Sequence, residues 1–218
     1  MRNRFSKFVK ELSDLNPVSL PGDAAHQLLA PQHRKPAGDY LKELSNYKVA
    51  AVMAAFVPLK EGSDTGIMLI ERTGGADVHA SQISFPGGKQ EVGEDLDFTA
   101  KREMEEEVGV SMDMINVLFP LTPLFIPPSN FLVHPFLGYI HSVPDLKLSE
   151  AEVKRVHLFS VNEFLNPANI LEGTFGSARG YSVNAPYFKI GEVVIWGATA
   201  MMLSEIAEVI KPVYNNSK

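Results

Sequence analysis

Glu103, Glu106 and Glu107 stand at positions i, i+3 and i+4 of the stretch Leu96–Val108. A helix advances about 100° per residue, so this spacing predicts three carboxylates within about one third of the circumference, converging on one point. Glu105 points about 160–200° away from Glu103 and Glu107 and is the internal control. Like charges at i, i+4 destabilise a helix by a few tenths of a kcal/mol, and by more when partly buried, so the cluster calls for a neutralising partner. A divalent cation serves. With carboxylate oxygens as donors and no cysteine in the chain, the favoured ions are Mg²⁺ or Mn²⁺, which suit phosphoryl or pyrophosphate chemistry. Just upstream, Gly87 and Gly88 let the backbone approach a metal or phosphate with no Cβ in the way.

These side chains need a frame. Leu96, Ala100, Met104 and Val108 form an apolar stripe beside the acidic face, which predicts a helix packed on a sheet and stopped by Gly109. Apolar, β-prone runs predict strands at Tyr47–Leu59 and Gly66–Glu71, joined by a turn, and further strands at Ile115–Leu121, Phe131–Ile140 and Val153–Ser160. A short helix is expected at Val161–Leu165, a polar turn-rich region at Phe175–Ala185, a hairpin at Tyr187–Trp196, and a helix from Ala198 to Ile210 closed by Pro212. At the other end, Phe5, Phe8, Val9 and Leu12 predict an amphipathic helix, followed by an irregular connection from Pro17 to about Gly38. Strands interleaved with helices indicate an α/β (α+β) architecture. Residues 1–46 read as an N-terminal helix and irregular extension, and 47–218 as the main domain.

Composition narrows the function. The 218 residues carry 20 Lys+Arg against 26 Asp+Glu, a formal charge of −6, which argues against a sequence-independent grip on nucleic acid. Zero cysteines exclude disulfides, thiolate metal sites and a cysteine nucleophile. No apolar run reaches the ~20 residues of a membrane span, and no secretory core follows the N-terminus, so a cytoplasmic protein is expected. Neither GxGxxG, GxxxxGK[ST] nor HExxH occurs.

The arrangement Gly88-x5-Glu94-x7-Arg102-Glu103-Met104-x-Glu106-Glu107-x-Gly109-Val110 resembles the signature box of the Nudix hydrolases at every specified position. A chance match is on the order of 10⁻⁷ for independent positions at average residue usage, which overturns the ordinary reading of a glutamate run as a solvated face. The resemblance implies a Nudix-type α/β/α sandwich around a mixed β-sheet and hydrolysis of a nucleoside diphosphate derivative with Mg²⁺ or Mn²⁺. It implies metal ligation by Glu103, Glu106, Glu107 and the Gly87 carbonyl, and Glu103 as a base toward water. Arg102 would orient the glutamates and pair with Glu94.

The preceding segment, from Arg72 through His79 and Gln82 to Phe85-Pro-Gly-Gly88, is similar to the motif of the coenzyme A pyrophosphatase branch. That implies cleavage of coenzyme A to 3′,5′-ADP and 4′-phosphopantetheine, with Arg72, His79 and Gln82 on the substrate. The 3′-phosphate of coenzyme A calls for extra cations, for which Arg34 and Lys89 are candidates on charge alone. Asp77 and Ser81 depart from the motif, and an acid in place of a cation repels phosphate. ADP-ribose, nucleotide sugars or dinucleoside pyrophosphates are therefore the alternative substrates, and a non-catalytic nucleotide-binding module is the alternative of a different class. Glu152 is a candidate extra carboxylate. The expected partner is a small nucleotide derivative, without nucleic acid or membrane, and a homodimer is allowed.

Overall fold

The run from Val49 to Val57 carries no charge and becomes the middle strand of the sheet, β1 (Lys48–Leu59). Its side chains alternate between two apolar clusters: Ala51, Met53, Ala55 and Val57 enter one, Ala50, Ala54 and Phe56 the other. A strand covered on both faces has to be apolar throughout, and this one is. β2 (Asp64–Arg72) lies antiparallel to the end of β1, and β4 (Gly87–Lys89) antiparallel to its beginning, with Gly88 opposite Ala51. On the other side β7 (Phe131–Tyr139) runs parallel to β1, with Ala51 beside His134.

β3 (Ile83–Ser84) and β8 (Val153–Ser160) pair with β2, while β5 (Asn116–Pro120) and β6 (Leu124–Ile126) pair with β7. The result is an eight-stranded mixed sheet. This computed structural model describes residues 4–15, 19–43, 46–59, 64–73, 82–176 and 182–216.

Helices cover both faces. On one, α4 (Leu96–Val108) buries Ala100, Met104 and Val108 against Ala51, Met53 and Met68. On the other, α1 (Arg4–Ser13) and α6 (Gly197–Asn216) pack together, with the Phe8 ring edge-on to Phe56 at 5.0 Å and to Tyr214 at 5.8 Å. α5 (Val161–Leu165) follows β8, and a second sheet of β9 (Ile170–Gly176), β10 (Ser182–Ile190) and β11 (Val193–Trp196) stands beside it. The fold is the expected α/β/α sandwich around a mixed sheet. No helix among the described residues is long and apolar enough to cross a membrane.

Four local expectations need correction. The connection after Pro17 is not wholly irregular: it contains α2 (Asp23–Leu28) and leads into α3 (Ala37–Glu43). α2 forms because His26 and Ala25 are buried, and His26 Nε2 lies 3.2 Å from the buried Glu205 of α6. β6 was hidden between prolines, and the end of β9 and the start of β10 occupy the Phe175–Ala185 region expected as turns; each forms as one arm of a hairpin with the strand that follows it, Ile126 opposite Phe131 and Gly176 opposite Ser182. Pro212 lies inside α6 rather than after it. Its missing amide weakens one turn, but Val213 and Tyr214 are buried, and the Tyr214 hydroxyl donates to Asp64 Oδ1 at 2.9 Å. Tertiary contact outweighs the local break.

Candidate active site

α4 presents the acidic face. The helix begins after Asp95 and stops at Gly109, which adopts φ +74°, a conformation disfavoured for residues with a Cβ. The carbonyls of Glu107 and Val108 accept from the amides of Ser149 and Lys147. The loop entering α4 is organised by Glu94, which accepts from the Glu91 amide at 3.1 Å and the Thr99 hydroxyl at 2.8 Å. Arg102 then grips Glu94 with two prongs, Nε to Oε1 at 2.6 Å and Nη2 to Oε2 at 3.1 Å. Such paired bonds hold geometry as well as charge.

Arg102 spends its remaining donor, Nη1, on Glu103 Oε1 at 2.9 Å and Glu106 Oε2 at 3.0 Å. The Arg102 hydrogen bond, helped by Thr99 and the Glu91 amide, draws the Glu94 carboxyl down to about 2 against its partial desolvation. Burial moves Glu103 the opposite way, above its ordinary value, and outweighs the pull of Arg102.

Glu107 is the most enclosed of the three. Its side chain is 2% exposed; Oε2 accepts from the Gly87 amide and Oε1 from Arg72 Nη1, both at 2.9 Å. Burial nevertheless pushes it up to about 7, with Glu103 and Glu152 adding repulsion. Glu152 thus supplies negative charge to this pocket from outside α4. Glu105 points elsewhere and accepts from the Met112 amide at 3.2 Å.

The acidic cluster differs from expectation in one respect. Among the described residues no three carboxylate or imidazole side chains are placed to hold a metal ion as they stand. Glu103, Glu106 and Glu107 share the helix face, but arginines claim their oxygens: Arg102 takes Glu103 and Glu106, Arg72 takes Glu107. Helical spacing fixes where Cβ atoms project, and it is silent on which cation each carboxylate chooses.

The residues still suit a hard cation. Desolvation, with a smaller contribution from neighbouring carboxylates, holds the half-buried Glu103 and the buried Glu107 less acidic than usual, which a bound cation would relieve, and Glu106 is 58% exposed and reorients at little cost. The Gly88 backbone lies so close that an added Cβ would collide with the Glu103 carboxylate. A side chain there would push the Glu103 carboxylate aside, and at Gly87 an added Cβ would meet the backbone of Ala51 and Val52, which cannot give way.

A cleft of about 700 Å³ opens beside this face. Arg34, Arg72, Lys89, Gln82, Ser84 and Trp196 contribute to its lining, and no Asp or Glu does so among the described residues. In a chain of net charge −6, that is a local reversal of sign suited to an anionic ligand. Trp196 stacks on Phe175, ring centroids 4.3 Å apart. His79, Asp77 and Ser81 lie outside the described residues. Tyr40, Ile126 and the Pro127–Pro128 turn also line the cleft. They had no signal in sequence, since no local pattern reports a contact across 80 or more residues.

A mixed sheet between helical layers, with an Arg-tethered glutamate helix at the mouth of a basic cleft, defines a hydrolase acting on phosphoanhydrides. The NUDIX domain profile matches residues 50–177, and the chain belongs to that family, whose members hydrolyse pyrophosphate bonds and use divalent metal ions. It is similar to Nudix hydrolase 3 of Caenorhabditis elegans, 25% identical over 87% of this chain and 86% of that one. It is similar also to the Nudix hydrolase NudL of Photorhabdus laumondii, 28% identical over 66% of this chain and 77% of that one. The fold resembles that of a MutT/nudix family protein from Enterococcus faecalis, with TM-score 0.53 and 16% identity over 83% of this chain and 71% of the other.

Proposed function

We propose that the chain hydrolyses the diphosphate of coenzyme A, releasing 3′,5′-ADP and 4′-phosphopantetheine. The observation that carries the proposal is the pairing of a basic cleft, lined by no Asp or Glu among the described residues, with the Glu103–Glu106–Glu107 face at Gly87–Gly88 of β4. The upstream Gln82–Gly88 segment, similar to the coenzyme A pyrophosphatase motif, supports the substrate. Residues 47–218 are the hydrolase domain in this reading, and residues 1–46 an extension upon it.

Glu103, Glu106, Glu107 and the Gly87 carbonyl would hold Mg²⁺ or Mn²⁺, with Glu106 turning away from Arg102 to do so. When bound, the ion offsets charge on the diphosphate and strengthens water as a nucleophile. Glu103, desolvated and raised in pKa, takes the proton of the attacking water as the new P–O bond forms. The bond between phosphorus and the bridging oxygen breaks, and the released phosphate leaves with that oxygen. Arg102, anchored on Glu94, keeps Glu103 in register; Arg72, Gln82 and His79 bind the substrate.

The test is a panel of coenzyme A, dephospho-coenzyme A and ADP-ribose with Mg²⁺ or Mn²⁺ in ¹⁸O-labelled water. Coenzyme A should yield the two named products with label on a single phosphorus. Faster turnover of ADP-ribose would transfer the assignment to the nucleotide-sugar class. Nucleotide binding with no product under either metal would leave a binding module.

A further inference from the structure

The N-terminal extension, outside the matched residues 50–177, carries a charged group into the cleft. The segment is anchored from within. The amide of Gly22 donates to Glu205 Oε1 at 3.1 Å, and the Thr122 amide and hydroxyl donate to the same carboxylate at 3.2 and 2.5 Å. Beyond α2, the Gln32 amide donates to the Asn184 carbonyl of β10 at 2.9 Å. Arg34 follows, with Nη2 on the Phe125 carbonyl of β6. Its Nε is buried and without a hydrogen-bond partner among the described residues. A buried donor left unmet is costly, more so on a charged group, and loss of water around this guanidinium lowers its pKa.

The sheet register places this group away from the glutamates. Lys89 of β4 is opposite Ala50 of β1, Ala50 is beside Val133 of β7, and Val133 is opposite Leu124 of β6. Three inter-strand steps of about 4.8 Å separate the β4 and β6 backbones by about 14 Å. One diphosphate held near Arg72 and Gly87 cannot also reach β6. Arg34 therefore faces some other part of the bound molecule.

We propose that Arg34 forms a second anion subsite, taking a phosphomonoester that the substrate carries apart from its scissile diphosphate. The proposal rests on the pyrophosphatase reading for its substrate and deepens it: the preferred substrates are those bearing an additional phosphate. Arg34 selects among diphosphates, and the glutamate face cleaves them.

Coenzyme A and dephospho-coenzyme A differ only by the ribose 3′-phosphate, and 3′,5′-ADP and AMP differ likewise. The experiment compares KM for the first pair, and Kd by calorimetry in EDTA for the second, in wild type, Arg34→Gln and Arg34→Lys. Wild type should prefer the additional phosphate by about tenfold or more in both measurements. Arg34→Gln should collapse that preference to about twofold, and Arg34→Lys should retain part of it. No preference in wild type, or an equal loss on both members of a pair, overturns the subsite. Equal loss identifies Arg34 as a prop for β6. Selective, Arg34-dependent binding of 3′,5′-ADP in a protein that hydrolyses no diphosphate leaves the subsite standing and sinks the catalytic assignment.

Discussion

The two ends of the cleft are made differently. At one, Gly87 through Glu107 supplies the close-approaching backbone, the ordering arginine and all three carboxylates within a single turn–helix segment. At the other, Arg34, Tyr40, Ile126, Pro127 and Val183 come from separate parts of the chain and meet only once β6, β7 and β10 are assembled. Bond-making chemistry needs sub-ångström placement, which one helix provides cheaply. Recognition of the remainder of a substrate tolerates looser placement and is free to draw on whatever the fold brings near.

The sharpest test of that division is at the helix. Glu106→Gln should lower kcat by about 10²–10⁴, while Glu105→Gln, on the opposite face, should stay within about threefold of wild type. Equal effects in a steady-state assay would show that helical placement does not decide function. Gly88→Ala comes next. Its methyl collides with the Glu103 carboxylate, and a displacement of about 1 Å should cost about 10² in kcat/KM, leaving substrate discrimination intact. A change in discrimination of the same size would mean that the two ends are not separable.

The smallest effect is electrostatic. Glu107, raised from 4.5 to about 7, keeps its proton in the fold where the unfolded chain has lost it. Its contribution to stability is complete below about pH 4.5 and disappears as pH rises through about 7. Glu94 runs opposite: drawn down to about 2, it contributes above about pH 4.5 and that contribution is lost as pH falls through about 2. Melting temperatures in EDTA between pH 4.5 and 8 should decline through neutrality for wild type and less so for Glu107→Gln. Parallel curves would remove burial as the cause.

Much of the glutamate end was legible because its determinants are local. The positions Leu96, Ala100, Met104 and Val108 gave the helix and its buried side, and Gly109 gave its end. The strand runs at Lys48–Leu59 and Val153–Ser160 were equally plain in composition. β6 and β9 were not, since each is a short hairpin arm whose prolines or turn residues mask the strand pattern, although the partner strand follows within a few residues. Pro212 misled for a long-range reason: the buried Tyr214, bonded to Asp64, holds a turn that local rules would end.

Sequence alone determined which side chains α4 gathers and which face they occupy, because 3.6-residue periodicity and a glycine cap act over a dozen residues. Tertiary structure decided that Arg72, 35 residues away, claims Glu107, and that Arg34 meets β6 across 91 residues. Ion-pair choice and desolvation depend on everything packed within a few ångströms, and that neighbourhood exists only after the sheet has closed around it.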